Sequence, residues 1–195
     1  MHMLSVRKAT IAQVGMLGLL LAAPPAEAQG NIKHDGFYFG VGLGIGWAKY
    51  NGDATDGTTE SGLSGTLRLG GHVKPNWLIG GETNGWYKSQ DGVTWTWGSV
   101  MATTYWYPGE KLPLFLKGGL GYMYTSGSDN FNDVSSNHFA FQVGTGYDLK
   151  IAKGSAITFY GNWIKGFSGS LKFEGDAIGD VSPSILQLGA AFSLY

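Results

Sequence analysis

Four charged residues stand inside runs that, short of a lysine at or near the end of three of them, are otherwise apolar, small or neutral. They are Arg68 in "GLSGTLRLGGHVK", Glu82 in "WLIGGETNGWYKS", Lys117 in "LFLKGGLGYMYTS" and Asp148 in "NHFAFQVGTGYDLK". Two cations and two carboxylates in such runs offer charge pairing, because a charge taken out of water needs a partner. Pro75-Asn76 forms a tight turn between the first two runs, which places Arg68 and Glu82 directly opposite or one diagonal apart. Lys117 and Asp148 hold comparable places on the next two runs, so buried ion pairs are expected. Of the four histidines, His34, His72 and His138 lie beyond the N-terminal leader that contains His2. No two have metal-ligand spacing, so neither a zinc site nor a cofactor is expected. His72 reads as a hydrogen-bonded filler beside the charges. Ser136 and His138 share a face in "SSNHF" and could serve as nucleophile and base, but no orienting third group is evident, so catalysis is not expected. "GVGLGIG" is no nucleotide loop, since its glycines fall at every second position and no helix follows.

The segments that carry these residues have one period. In "GFYFGVGLGIGWAKY", Phe37, Phe39, Val41, Leu43, Ile45 and Trp47 alternate with Tyr38, Gly40, Gly42, Gly44, Gly46 and Ala48. That is the two-residue period of a strand. It recurs over 62–74, 77–89, 93–107, 114–126, 137–150, 155–168 and 184–195, giving eight strands and no helical segment. In 93–107 the face is blurred by Ser99 and Val100; Trp95, Trp97, Met101, Tyr105 and Tyr107 are assigned to the apolar side.

Composition narrows the setting. Residues 1–28 read as a cleavable signal peptide: Arg7 and Lys8, a short apolar stretch, then Ala26-Glu27-Ala28. Residues 29–195 are the domain that remains. The chain has no cysteine, which excludes a disulfide framework and thiolate metal sites, and a net charge of −1, which offers nucleic acid no footprint. An exported chain without a spanning helix crosses a membrane only as a closed barrel.

The glycine-rich side of the strands decides between a barrel and a soluble sandwich. A sandwich would show a charged second face, whereas charge here is only 14% overall. The apolar face carries aromatics at the ends of the runs: Phe37, Trp77, Tyr105, Tyr107 and Tyr147 low, Trp47, Tyr87, Trp95, Tyr124, Phe139 and Phe167 high. Two aromatic levels with Leu, Val and Ile between them are the girdles of a membrane barrel. The small residues then face a lumen barely wide enough for side chains. The expected fold is all-β: an eight-stranded antiparallel up-and-down transmembrane β-barrel.

The connections "PN", "PGEKLP" and "IAKG" are short, while those beginning near Asn51, Gly127 and Gly169 are longer and polar, and "QD" near Asp91 is brief. This asymmetry places the termini and short turns in the periplasm and the long loops outside the cell. Nine of the fourteen acids belong to the long-loop set: Asp53, Asp56, Glu60, Asp91, Asp129, Asp133, Glu174, Asp176 and Asp180. The short turns carry Lys74, Lys111, Lys150 and Lys153. Acidic loops suit divalent cations held by lipopolysaccharide, or simple solvation.

The leader, the eight alternating runs, "GFYFGVGLGIGW" and a strand running to the last residue resemble the small outer-membrane barrels typified by the OmpA transmembrane domain, OmpX and the opacity-like proteins. The likeness spans essentially the whole mature chain. It implies an integral outer-membrane protein, in contact with outer-membrane lipid and lipopolysaccharide and folded by the barrel assembly machinery. It departs at the C-terminus, where Phe192 and Leu194 are in phase with the lipid-facing residues and Tyr195 is one beyond. It implies a non-enzymatic structural, envelope-integrity or surface-interaction role. A narrow channel for ions or small apolar molecules, gated by the charges, is the alternative. A lipid-modifying enzyme is the third, since some such barrels are lipid A deacylases with His and Ser on one strand.

Overall fold

The computed structural model describes residues 36–52, 58–90, 92–109, 112–128, 133–173 and 176–195. The expected signal peptide and His34 lie outside them. So do Asp53, Asp56, Asp91, Lys111, Asp129 and Glu174 of the loop and turn sets.

The described chain forms nine strands: β1 (Phe37–Gly52), β2 (Thr59–Lys74), β3 (Trp77–Gln90), β4 (Val93–Trp106), β5 (Leu114–Ser128), β6 (Asp133–Ala152), β7 (Ser155–Gly166), β8 (Gly169–Phe173) and β9 (Asp176–Leu194). Eight of them close one antiparallel barrel. Each pairs with the next in sequence, β7 pairs with β9, and β9 returns to β1, from Phe39↔Leu194 to Gly52↔Val181. Closure leaves no strand edge, which is what a sheet in hydrocarbon requires. Among the described residues no helix is long and apolar enough to cross a membrane.

The sequence periods correspond to these eight strands, but the strands run further at the long-loop end. The segments expected as loops near Gly127 and Gly169 are partly strand: β5 continues to Ser128, β6 starts at Asp133, and the short β8 pairs with the far end of β9. Strand β8 also meets β6 through Val134↔Phe173 and Ser135↔Lys172, so it extends the wall above the end of β7. Polar residues continue a ladder there because the main chain supplies the bonds and the alternation only selects the face. At the other end the turns are tight. Pro75-Asn76 joins β2 to β3, and Lys153-Gly154 joins β6 to β7, with Gly154 at φ 75°, a conformation that favours glycine.

The apolar side looks outward: Phe37, Val41, Leu43, Ile45, Leu63, Leu69, Ile79, Leu120, Val143 and Phe192 are exposed, while Tyr38, Thr66, Arg68, Glu82, Gln142 and Asp148 are buried in the interior. Strand β4 corrects the sequence reading. Its register sets Tyr105 against Leu78, Met101 against Glu82 and Trp97 against Trp86. Residues directly opposite share a face. Trp97, Met101, Tyr105 and Tyr107 therefore point into the lumen, and Val100 and Trp106 point out. Trp95 also belongs inside, against Tyr50 with ring centroids 6.2 Å apart. The low girdle accordingly uses Trp106 beside Trp77, not Tyr105 and Tyr107.

Glycine serves close approach. Gly44 faces Gly189 across the β1–β9 seam, and a Cβ on Gly44 would run into the Leu188 carbonyl oxygen and come within 2.7 Å of Gly189 Cα. Both obstacles are backbone, which cannot swing aside. Gly44→Val is expected to cost about 1–3 kcal/mol through overpacking. Gly85→Ala, where a Cβ meets nothing within 4 Å, should be nearly neutral. Urea midpoints of the two variants in vesicles check the contrast; equal midpoints would refute the seam argument.

Candidate functional site

Alternation delivers one inward side chain every second residue, and the eight strands stack these into layers. At the short-turn end an aromatic layer fills the lumen: Tyr38, Leu78, Tyr105, Tyr107 and Phe115, with Tyr195 packed against them. Tyr105 and Phe115 meet edge-on at 5.3 Å, and Tyr38 and Tyr195 lie 5.2 Å apart. The terminal Tyr195 thus turns inward, and its amide donates to the Gly154 carbonyl (2.9 Å). Its position one residue past the lipid phase has a structural use: it caps the lumen. At the long-loop end a second apolar layer gathers Ala48, Trp86, Trp97, Met101, Met123, Ala140, Ile164 and Ile185. Trp86 and Trp97 meet edge-on at 5.7 Å, and the Trp86 indole donates to the Gly46 carbonyl (2.9 Å).

The charges lie between these layers. Arg68 and Glu82 are directly opposite in the β2–β3 ladder. Glu82 receives Lys117 Nζ at 2.7 Å on both oxygens, the Tyr105 hydroxyl at 2.6 Å on Oε2 and Asn162 Nδ2 at 3.2 Å on Oε1. Arg68 Nε stands 3.7 Å from Glu82 Oε2, and its guanidinium carbon lies 4.2 Å from the centre of the Tyr160 ring. A cation over an aromatic face is attracted by the ring quadrupole. All three charged side chains are wholly shielded from solvent. One carboxylate therefore serves two cations. Asn162 continues the network to Asn84 Oδ1 (3.4 Å), and Asn84 Nδ2 donates to Gln142 Oε1 (3.2 Å).

Lys117 and Asp148 do not pair as expected. In the β5–β6 ladder Lys117 is opposite Gly144, and its long side chain crosses the lumen to Glu82 instead. Asp148 sits nearer the short-turn end, where Thr158 Oγ1 donates to it at 2.6 Å and the Tyr107 hydroxyl at 3.0 Å. His72 lies in the same region, its ring 6.0 Å from Tyr195 and 6.5 Å from Tyr107. The lumenal network thus has two centres, Arg68–Glu82–Lys117 and Asp148 with Thr158 and Tyr107, and His72 stands beside the second against the Tyr107 and Tyr195 rings. Tyr105 and Tyr107, which complete them, are the residues the sequence reading placed on lipid. The opposition of Tyr105 to Leu78, whose same-face neighbours two and four places on are Gly80 and Glu82, was the available signal.

Ser136 and His138 are brought together high in the lumen. Ser136 Oγ is 2.8 Å from His138 Nε2, His138 Nδ1 is 2.9 Å from the Phe167 carbonyl, and Thr125 Oγ1 is 2.7 Å from Ser136 Oγ. Both residues are only 2% exposed. Among the described residues no three acidic or histidine side chains converge to hold a metal ion. A cavity of about 10 Å³ beside Asn84, Trp86, Trp97 and Gln187 has room for about one water.

The model of the family described as outer membrane protein beta-barrel domain matches residues 15–193. No curated protein sequence matches the chain. Among solved structures, Neisserial surface protein A is similar at 13% identity over 82% of this chain and 97% of that one, with a TM-score of 0.58. Ail, the attachment invasion locus protein of Yersinia pestis, is similar at 15% identity over 82% and 99%, with a TM-score of 0.52. The outer membrane protein OprG from Pseudomonas aeruginosa is similar at 10% identity over 85% and 99%, with a TM-score of 0.52. At these identities the likeness is one of fold.

Proposed function

Because the chain belongs to the outer membrane protein beta-barrel domain family, we propose that it is a non-conducting, non-enzymatic barrel of the outer membrane whose work lies in envelope structure and surface contact. The short turns and both termini face the periplasm, and the strand extensions β8 and the far end of β9 face the outside. The observation that carries this reading is the three-layered lumen: an aromatic floor, the Arg68–Glu82–Lys117 layer, and an apolar roof at Trp86 and Trp97. An ion crossing it would have to part both apolar layers and the charge cluster, and eight strands leave no spare width.

Planar-bilayer recording of the purified barrel tests this. Silence is expected from the native protein and from Trp97→Ala, because the charge layer remains. Discrete steps from native protein, altered in size by Arg68→Ala, would establish the channel reading instead.

Lipid chemistry is the remaining alternative, favoured by the Ser136–His138 contact. Their burial argues against it, and lipid A from cells expressing the protein should keep its mass in a mass spectrum.

A further inference from the structure

The charge layer meets the apolar roof at a small cavity. On each of three strands a polar residue sits one inward place below a roof residue: Asn84 below Trp86 on β3, Ser99 below Trp97 on β4 and Gln187 below Ile185 on β9. These six border a space of about 10 Å³, so its floor is polar and its ceiling apolar. Asn84 and Ser99 are direct partners in the β3–β4 ladder. Gln187 reaches across from β9, and its Nε2 donates to the Gly85 carbonyl (3.3 Å).

The hydrogen-bonding groups around this space are not used up by one another. Gln187 Oε1 has no partner among the described residues, in a side chain that is 1% exposed. Trp97 Nε1 has none either, in a residue 2% exposed, whereas the Trp86 indole is occupied by the Gly46 carbonyl. Ser99 Oγ accepts from Asn84 Nδ2 (3.3 Å), which leaves its own proton to give. Two donors and one acceptor therefore belong to residues that border one space. Native interiors match nearly all such groups, because an unmatched one costs free energy once water is excluded. No carboxylate lines the space, which argues against a cation, and its volume admits one water but no larger molecule.

We propose that this cavity is a site for one water, which accepts from the Ser99 hydroxyl and the Trp97 indole and donates to Gln187 Oε1. Three bonds are the usual number for a buried water. The water extends the chain that already runs from Glu82 through Asn162 and Asn84 to Ser99. It thereby ties the charge layer to Trp97 of the roof, where the protein alone offers only apolar contact. The site does not depend on a non-conducting lumen. Conductance steps from a barrel that holds the water would overturn the closed lumen alone, and silence from one that lacks it would overturn the site alone.

The test reads nuclear Overhauser transfer from water to the indole protons of the folded barrel in deuterated detergent, with Trp97→Phe assigning the Trp97 signal. The Trp97 indole proton should show a direct cross-peak with water, and the Trp86 indole proton none. Tyr50→Phe should keep the cross-peak, which excludes relay through the hydroxyl of the ring 4.6 Å from Trp97. Gln187→Met has nearly the same shape but no acceptor and should lose the cross-peak. Ser99→Ala removes only a hydroxyl and should weaken it. Heat-modifiable gel mobility checks that each variant is folded. An absent cross-peak in the native protein would overturn the proposal, as would an equal one at Trp86 or its loss in Tyr50→Phe. So would full native strength in Ser99→Ala and in folded Gln187→Met.

Discussion

Glu82→Ala should destabilise the barrel by about 3–5 kcal/mol, the cost of stranding a buried charge by removing its partner. The effect belongs at the upper end of that range because Glu82 serves two cations at once. Without it, Arg68 and Lys117 are left wholly buried, a few ångströms apart, with repulsion added to desolvation. The Tyr105 hydroxyl and Asn162 amide lose an acceptor as well. Glu82→Gln keeps an oxygen for them but not the charge, so its loss should be smaller. Lys117→Met in the Glu82→Ala background should recover part of the stability, since one orphaned cation is gone. Urea unfolding in lipid vesicles, followed by tryptophan fluorescence, gives these values. A loss below about 1 kcal/mol for Glu82→Ala would mean that water reaches the cluster, and the sealed lumen would fall with it.

Leu43→Arg should cost about 2–4 kcal/mol, the penalty for a cation at mid-bilayer on the lipid face of a barrel. Leu43 lies midway along the outward row from Phe37 to Trp47 and is 67% exposed. In a water-soluble protein an exposed leucine on a strand would accept arginine with almost no loss. The substitution therefore discriminates between hydrocarbon and water as the solvent of this face, which burial alone does not. Trp77→Phe at the low girdle should change little by the same measurement, because an apolar ring remains at the interface. A neutral Leu43→Arg would refute the transmembrane reading whatever the shape of the sheet.

Much of this was legible in the chain itself. Alternation over eight runs fixed the strands, and the choice of glycine, serine and threonine against leucine, valine and phenylalanine told inside from outside. Pro75-Asn76 brought Arg68 within one place of Glu82, and the register shift between His72 and Lys74 set them directly opposite. The faces of β4 were not legible. Its inward residues Trp97, Met101 and Tyr105 are larger and more apolar than the outward Thr94, Thr96, Ala102 and Thr104, so hydrophobicity pointed to the wrong face. Only the pairing with Leu78, Glu82 and Trp86 of β3 decided it.

The partner of Lys117 was hidden for a related reason. Strand order makes β6 its neighbour, but closure folds β3 across the lumen, and the long side chain finds the nearer carboxylate there. The same closure brought the Gln187 amide of β9 to the Gly85 carbonyl of β3, far apart in sequence. Local period and turn chemistry act between residues close in the chain, so the sequence determined the strands, their faces in seven of eight cases, and the barrel. Contacts across a closed ring join residues remote in the chain, and these the tertiary structure alone decided: which charges share Glu82, what seals the lumen, and where Gln187 crosses to β3.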